Sequence, residues 1–115
     1  MFRTDARIKI EEELARGEAA RRDGLEGRAR VCARRAAGAA VREYLELQGL
    51  PIPGPSAVDL LTFLQNEPGT IQAVREAAGR LLARVDEGFA LPVDVDLLAD
   101  ARWLAAELER LAGGN

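Results

Sequence analysis

The segment from Arg28 to Gln48, RARVCARRAAGAAVREYLELQ, constrains the fold more than any other part of the chain. Its residue spacing predicts a long helix whose apolar side consists mostly of alanine. Two arginines, Arg30 and Arg34, lie within that apolar arc, at about 200° and 240° from Arg28 when each residue advances by about 100°. Because burial of an unpaired guanidinium is costly, both side chains require acidic partners within the fold or an anionic ligand.

The two sides of this helix predict different surroundings. The apolar arc includes Ala33, Ala37 and Tyr44, and its small residues suit the close approach of another helix. We take these three residues as candidate interface residues. The opposite side predicts a solvated stripe of five charged residues: Arg28, Arg35, Arg42, Glu43 and Glu46. Cys32 flanks this stripe and is interpreted as a small packing residue.

Glycines and prolines divide the chain into five predicted helices and no strands, since no segment alternates with a period of two. Thr4 or Asp5 is the predicted N-cap of the first helix, and Ser56 with Asp59 is typical of a capping box before the third. The first four predicted helices cover about residues 5–22, 26–48, 56–64 and 70–85. The last helix is capped by Asp94 or Asp96 and runs to about residue 112. We therefore predict an all-α, four- to five-helix up-and-down bundle, a single domain over 1–115 with a disordered tail at about 113–115.

The last helix carries the acids that the buried arginines require. Asp100 borders its predicted core arc, so an Arg34–Asp100 or Arg30–Asp100 ion pair is expected, with Asp59 as the other candidate. The alternative is that Arg30, Arg34, Arg35 and Asp100 line a binding site. Trp103 falls among acidic residues and away from the core arc, which is typical either of an interface anchor or of packing under a neighbouring segment.

Charge is distributed unevenly along the sequence. Residues 1–42 hold 11 basic and 7 acidic side chains, whereas residues 43–115 hold 5 basic and 12 acidic ones. Attraction between the two halves within one fold is the simpler interpretation. With a pI near 5.1, the chain does not have the profile of a general nucleic-acid binder, and we expect no DNA partner.

Location in the cell is predicted from what the sequence does not contain. The chain has one cysteine, no apolar run near the roughly 20 residues that span a bilayer, and no hydrophobic signal region at its N-terminus. We therefore expect a cytoplasmic protein that does not interact with a membrane.

Catalytic residues are not predicted anywhere in the chain. It contains no histidine, so the commonest general base and most transition-metal sites are excluded. Asp94, Asp96 and Asp100 resemble a hard-cation cluster, but helix capping and solvated charge explain them more simply. The glycines do not form a phosphate-binding loop and are interpreted as helix punctuation, including Gly17 and Gly27. We expect no catalytic residues, no metal and no cofactor.

The chain combines two long helices, a short one and two further helices, with an alanine-rich second helix and a D-x-D-L-L-x-D-A-R-x-L last helix. From about residue 5 to 112, this combination resembles a HEPN-type bundle. The resemblance implies an up-and-down helical domain that is often dimeric and often paired with a minimal nucleotidyltransferase. Many members are RNases that use an arginine, a short spacer and a histidine. Arg102 lies in the last helix, but the absence of histidine implies a non-nucleolytic member.

Three functions follow as hypotheses. The leading one is a non-enzymatic helical interaction module that forms a homo-oligomer or binds a protein partner, such as a nucleotidyltransferase. The alternative is a nucleotide- or RNA-binding domain in which Arg30, Arg34 and Arg35 contact phosphate, since guanidinium groups suit that anion. The third is an enzyme, either a degenerate nuclease or a metal-dependent phosphohydrolase built on the acidic last helix.

Overall fold

A computed structural model of the protein describes residues 1–83 and 95–113, and these residues form helices without a strand. The all-α helical bundle predicted from the sequence is therefore confirmed. The helices are α1 (Thr4–Arg22), α2 (Glu26–Leu47), α3 (Ala57–Gln65), α4 (Gln72–Leu82) and α5 (Leu97–Ala112). None of them is long and apolar enough to cross a membrane.

The alanine-rich helix α2 is the centre of the bundle. Helices α1, α5 and α3 all pack against it, and α4 packs between α3 and α5. Helices α1 and α2 are antiparallel, because Arg3 at the start of α1 contacts Glu43 near the end of α2. Six residues on the buried side of α2 are almost inaccessible to solvent: Ala29, Ala33, Ala36, Ala37, Ala40 and Val41. Their small side chains allow three helices to approach one helix closely.

The helix starts agree with the sequence at two of the three predicted caps. Ser56 Oγ accepts a hydrogen bond of 3.0 Å from the Asp59 amide at the start of α3, and Asp96 Oδ1 accepts one of 3.1 Å from the Ala99 amide at the start of α5. The prediction for α1 was wrong. This helix begins at Thr4 after Arg3, which provides no side-chain cap. The other predicted cap of α5, Asp94, lies outside the described residues.

Glycine has two separate roles in this fold. Gly24 and Gly49 have positive φ angles of 75° and 69° where α1 and α2 end, as helix termination requires. Gly17 instead lies buried within α1, where a Cβ atom would be 2.5 Å from Leu98 Cδ2. The interpretation of Gly17 and Gly27 as helix punctuation was therefore wrong, because both lie inside helices.

Most of the predicted core positions are buried, with a few corrections. Val74, Ala77, Ala78 and Leu81 of α4 are inaccessible, but Ile71 is 48% exposed because it precedes the helix and does not reach the core. The helix ends at Leu82, earlier than predicted, and the predicted terminal residue Val85 lies outside the described residues. Cys32 is buried near Gly17 and does not flank solvent, because α1 crosses that side of α2.

Candidate interaction groove

A groove runs along α2 between α1 and α3. Both helices pack on α2, but they do not contact each other, so the strip of α2 between them stays uncovered. The resulting open cavity has a volume of about 800 Å³. Its α1 wall contains Arg3, Asp5, Ala6, Lys9 and Glu13, its floor is formed by α2 residues between Val31 and Glu46, and its α3 wall is formed by Pro55, Ser56, Ala57, Val58 and Leu60.

The floor of the groove combines charged residues with two small ones at its centre, Gly38 and Ala39. Gly38 is buried where α3 crosses α2, and a Cβ atom there would lie 2.8 Å from Ala57 Cβ and 2.9 Å from Ala57 Cα. Ala39 beside it is partly exposed to the groove. Val31 and Val58 are 40% and 49% exposed at the two sides. The groove therefore offers an apolar strip with room above it.

Four charged residues compensate one another at the end of the groove where α1 begins. Arg3 Nη2 and Nε bind Glu43 Oε1 at 2.6 and 3.0 Å, and the Arg3 amide donates to Glu43 Oε2 at 2.6 Å. Arg3 also pairs with Glu46, which lies 3.9 Å from Arg42. Glu43 is only 3% exposed, so its predicted place in a solvated stripe was wrong. The start of α1 covers it and supplies the cation.

This contact changes the titration of the buried carboxylate. The side-chain hydrogen bonds from Arg3 lower the pKa of Glu43, with further lowering by the Arg3 amide, while burial acts in the opposite direction. Glu43 is therefore ionised at neutral pH. Its pairing with Arg3 fixes the start of α1 against the end of α2 and defines one end of the groove.

The cations in the middle of the groove are less compensated. Lys9 on the α1 wall and Arg35 on the floor make no ion pair within residues 1–83 and 95–113. Glu13, on the same wall, is 7% exposed and is neutralised by Arg16 at 3.0 Å, although its Oε2 atom has no hydrogen-bond donor in the part of the chain described here. The middle of the groove therefore carries an excess of positive charge.

Arg34 is directed away from the acids expected to meet it. Its Nε donates to the Leu81 carbonyl oxygen at 2.6 Å and its Nη2 to the Ala83 carbonyl oxygen at 2.9 Å. These carbonyls belong to the end of α4, where the helix dipole is negative and the last carbonyl oxygens have no donor within the helix. Arg34 is therefore held in part by backbone carbonyl oxygens, which residue types alone do not indicate.

Asp100 has a different partner from the one predicted. It accepts two hydrogen bonds from Arg80, at 2.9 Å from Nε and 3.0 Å from Nη2, so the expected Arg34–Asp100 and Arg30–Asp100 pairs are not formed. Arg30 is partly buried, does not line the groove and forms no ion pair with the described residues. The four predicted binding residues therefore do not converge: of them, only Arg34 and Arg35 line the groove.

The acids at the start of α5 serve in contacts within the chain. Asp96 caps the helix and binds Arg21 Nη1 at 3.0 Å. Burial raises the pKa of Asp96, but the amide of Ala99 and the Arg21 guanidinium outweigh it, so the pKa lies below its ordinary value. The described residues contain no group of three acids or cysteines that could hold a metal ion.

The predicted interface residues differ in their exposure to solvent. Ala33 and Ala37 are 0% exposed, since α2 uses them for its own packing, and they are not accessible to a partner in this conformation. Tyr44 is partly buried against the core. Trp103 is 41% exposed on α5, away from the groove. The four predicted interface residues therefore do not form one accessible surface.

A second, smaller cavity of about 180 Å³ lies between α1 and α5. Its floor is apolar, formed in part by Phe2 and Ile10, and ion pairs between the two helices close its sides: Arg7 with Glu109, and Arg102 with Glu11. Arg102 thus takes part in a surface contact between helices. Since its charges are paired across the cavity, this depression has much less capacity for a ligand than the groove.

Comparison with protein-family models, with curated proteins and with solved structures gives no significant match. The groove offers exposed valines, two small residues and cations, and its lining residues include no nucleophile paired with a base. Two features of the sequence indicate this surface: the seven-residue spacing of Arg35 and Arg42 and the glycine at position 38.

Proposed function

We propose that this protein is a non-enzymatic helical interaction module whose groove between α1 and α3 receives a helical segment of a protein partner. One observation carries the proposal: two helices pack on α2 without touching each other and leave the strip of α2 at Ala39 partly exposed. A helix laid into such a groove would complete the packing around α2, as in other proteins that bind an amphipathic helix in an apolar groove.

The composition of the groove supports a protein partner. Val31 and Val58 are exposed on either side of Ala39, and exposed apolar surface bordered by polar side chains is typical of interaction sites. The small side chain of Ala39 permits a close approach of another helix, since the distance between helix axes depends on the side chains at the contact. The wall and floor carry charges that would form a polar rim around the contact.

The HEPN-like resemblance, homo-oligomerisation and a nucleotidyltransferase as partner remain parts of this proposal, as does a cytoplasmic location. Binding of nucleotide or RNA through Arg30, Arg34 and Arg35 has less support. Arg34 binds the carbonyls that end α4, and Arg30 lies outside the groove. Of the three, Arg35 is the one that lines the groove and makes no ion pair with residues 1–83 and 95–113.

A bulky residue in the floor tests the proposal. We expect Ala39→Trp to fill the groove and to abolish association, measured as the mass of the protein and of anything that copurifies with it by light scattering after expression in its own host. Ala99→Trp is the matched control, because Ala99 is exposed on α5 away from the groove. Thermal unfolding of both variants verifies that each is folded.

Two results would contradict the proposal. The first is a wild-type protein that elutes as a monomer and carries no partner at any concentration reached. The second is an association that survives Ala39→Trp but is lost in Trp103→Ala, which would place the interface on α5. Failure of Ala39→Trp to fold is separated from loss of binding by repeating the test with Val58→Glu, since Val58 is 49% exposed.

A further inference from the structure

The groove between α1 and α3 has a charge pattern that specifies what kind of helix it fits. Its acids are already engaged: Glu43 and Glu46 bind Arg3, and Glu13 binds Arg16. Asp5 remains at one end, where its Oδ1 accepts a hydrogen bond from the Ala6 amide at 3.0 Å. What faces an occupant in the middle of the groove is therefore mainly cationic.

Three helices supply that positive potential. Lys9 stands on the α1 wall and Arg35 on the floor, and neither is paired with any residue of the ranges 1–83 and 95–113. On the opposite wall, α3 presents the start of its helix: Ser56 caps the Asp59 amide, while the Ala57 and Val58 amides have no acceptor in the described chain. A helix start of this kind favours negative charge.

The spacing of the floor residues adds a register. Arg35 and Arg42 are seven residues apart on α2, about 10.5 Å at 1.5 Å per residue, and Gly38 and Ala39 lie between them. A helix lying along α2 would meet Arg35, then the partly exposed Ala39, and then Arg42, whose charge is shared with Glu46 at 3.9 Å. The complementary sequence therefore has a carboxylate opposite Arg35 and small or apolar residues opposite Ala39.

We propose that the occupant of the groove is an acidic amphipathic helix of a partner protein, held by its apolar strip on Ala39, Val31 and Val58 and by its carboxylates on Lys9 and Arg35. The inference rests on the proposed function, because it specifies the partner of that same groove. Charge complementarity here chooses the partner and speeds association, whereas the apolar floor supplies contact area.

Three fluorescent peptides of identical apolar face test the charge preference. Each is a designed amphipathic helix of about 18 residues, long enough to populate a helix, with Glu, Gln or Lys at the flanking positions. By fluorescence anisotropy we expect the Glu peptide to bind at least about tenfold more tightly than the Gln peptide, the Lys peptide to bind weakest, and the preference to fall as salt is added.

Charge reversal in the protein provides the matched variants. Each of the variants Arg35→Glu and Lys9→Glu should weaken binding of the Glu peptide and strengthen binding of the Lys peptide. Arg28→Glu is the control, because Arg28 is an exposed arginine of the same helix stripe that does not line the groove, and it should leave the order of the peptides unchanged.

The outcomes separate this inference from the proposed function. Equal binding of Glu and Gln peptides, blocked by Ala39→Trp, would overturn the acidic partner and leave the interaction module standing. A wild-type dimer that Arg35→Glu converts to monomer would place a second copy in the groove and overturn it as well. So would a short RNA that binds more tightly than the Glu peptide and is lost in Arg35→Glu. If no peptide binds and no association depends on Ala39, both proposals fail.

Discussion

Arg34 and Arg35 are neighbours in the sequence and both line the groove, but their guanidinium groups reach two different regions of the molecule. Arg34 extends to the end of α4, where it donates two hydrogen bonds to the Leu81 and Ala83 carbonyl oxygens. Arg35 faces the side between α1 and α3, where no carboxylate of the described chain pairs with it. A cation is part of the fold where helices meet around it, and it is available to a partner where they do not.

The same contrast applies to the apolar residues of the two regions. On the closed side, the alanines of α2 contact other helices and are inaccessible to solvent. On the open side, Ala39, Val31 and Val58 retain exposed surface. Substitutions on the closed side should therefore change stability, and substitutions on the open side should change binding.

The largest expected effect lies in the closed core. Leu81 of α4 is 0% exposed, and we expect Leu81→Ala to lower the free energy of unfolding by about 2–5 kcal/mol, since it removes buried methyl groups and leaves a cavity. Val58→Ala in the groove should cost below about 0.5 kcal/mol, as is usual for an exposed side chain. Urea unfolding of both variants measures the difference. Equal effects would show that the two regions are not distinct.

The next largest loss of stability is expected at Gly38, where α3 crosses α2. In Gly38→Ala, the new methyl group would lie 2.8 Å from Ala57 Cβ, so α3 would have to move away from α2. We expect a loss of about 1–3 kcal/mol, typical of overpacking. Gly27→Ala is the control in the same helix. Its nearest atom is Arg30 Nη2 at 3.9 Å, so this variant should gain about 0.4–1 kcal/mol. A neutral Gly38→Ala would mean that α3 does not pack against α2 this closely.

Replacing each of the two neighbouring arginines separates a role in stability from a role in binding. Arg34→Ala should lower stability by about 1–2 kcal/mol, because two hydrogen bonds to the carbonyls at the end of α4 are lost. Arg35→Ala should change stability by less than about 0.5 kcal/mol and weaken binding in the groove. Thermal and urea unfolding of both variants, followed by peptide anisotropy, measures the two quantities. Unchanged stability in Arg34→Ala would assign it to a binding site instead.

The smallest expected effect concerns pH. Because the pKa of Glu43 is lower in the folded protein than in the unfolded chain, its pairing with Arg3 stabilises the fold above the unfolded value of about 4.3 and is lost as the pH falls through the folded value. We expect Glu43→Gln to cost about 1 kcal/mol at pH 7 and to make stability less dependent on pH below about 4.5. Urea unfolding at a series of pH values measures this. An unaltered pH dependence would show that other acids dominate, with Asp96 the next candidate.

The fold could be predicted from the sequence because its signals are local. Helix periodicity, the cap at Ser56 and the glycines at 24 and 49 depend on residues close in the chain, and the structure agrees with them. Tertiary partners could not be predicted in this way. A helical wheel places Glu43 in solvent, but it does not show that the start of α1 folds back over it, and it cannot show that backbone carbonyls meet Arg34.

The candidate site was predicted only in part for the same reason. Arg35 was identified from its residue type and spacing, whereas Lys9 and the exposed valines depend on how α1 and α3 diverge across α2. Ala33 and Ala37 illustrate the opposite error. Small residues that suit close packing are the ones a single bundle uses for itself, so they are buried and not presented.

Two-dimensional NMR tests directly whether the groove between α1 and α3 binds an acidic helix. The isotopically labelled protein is titrated with the Glu peptide, and the amide chemical shifts are followed. We predict that the perturbed amides cluster at Lys9, Ala39 and Val58, on the three elements that border the groove, and that the amides around Trp103 stay unchanged. Perturbations that centre on Trp103 and α5, or an absence of perturbation at saturating peptide, would contradict the account.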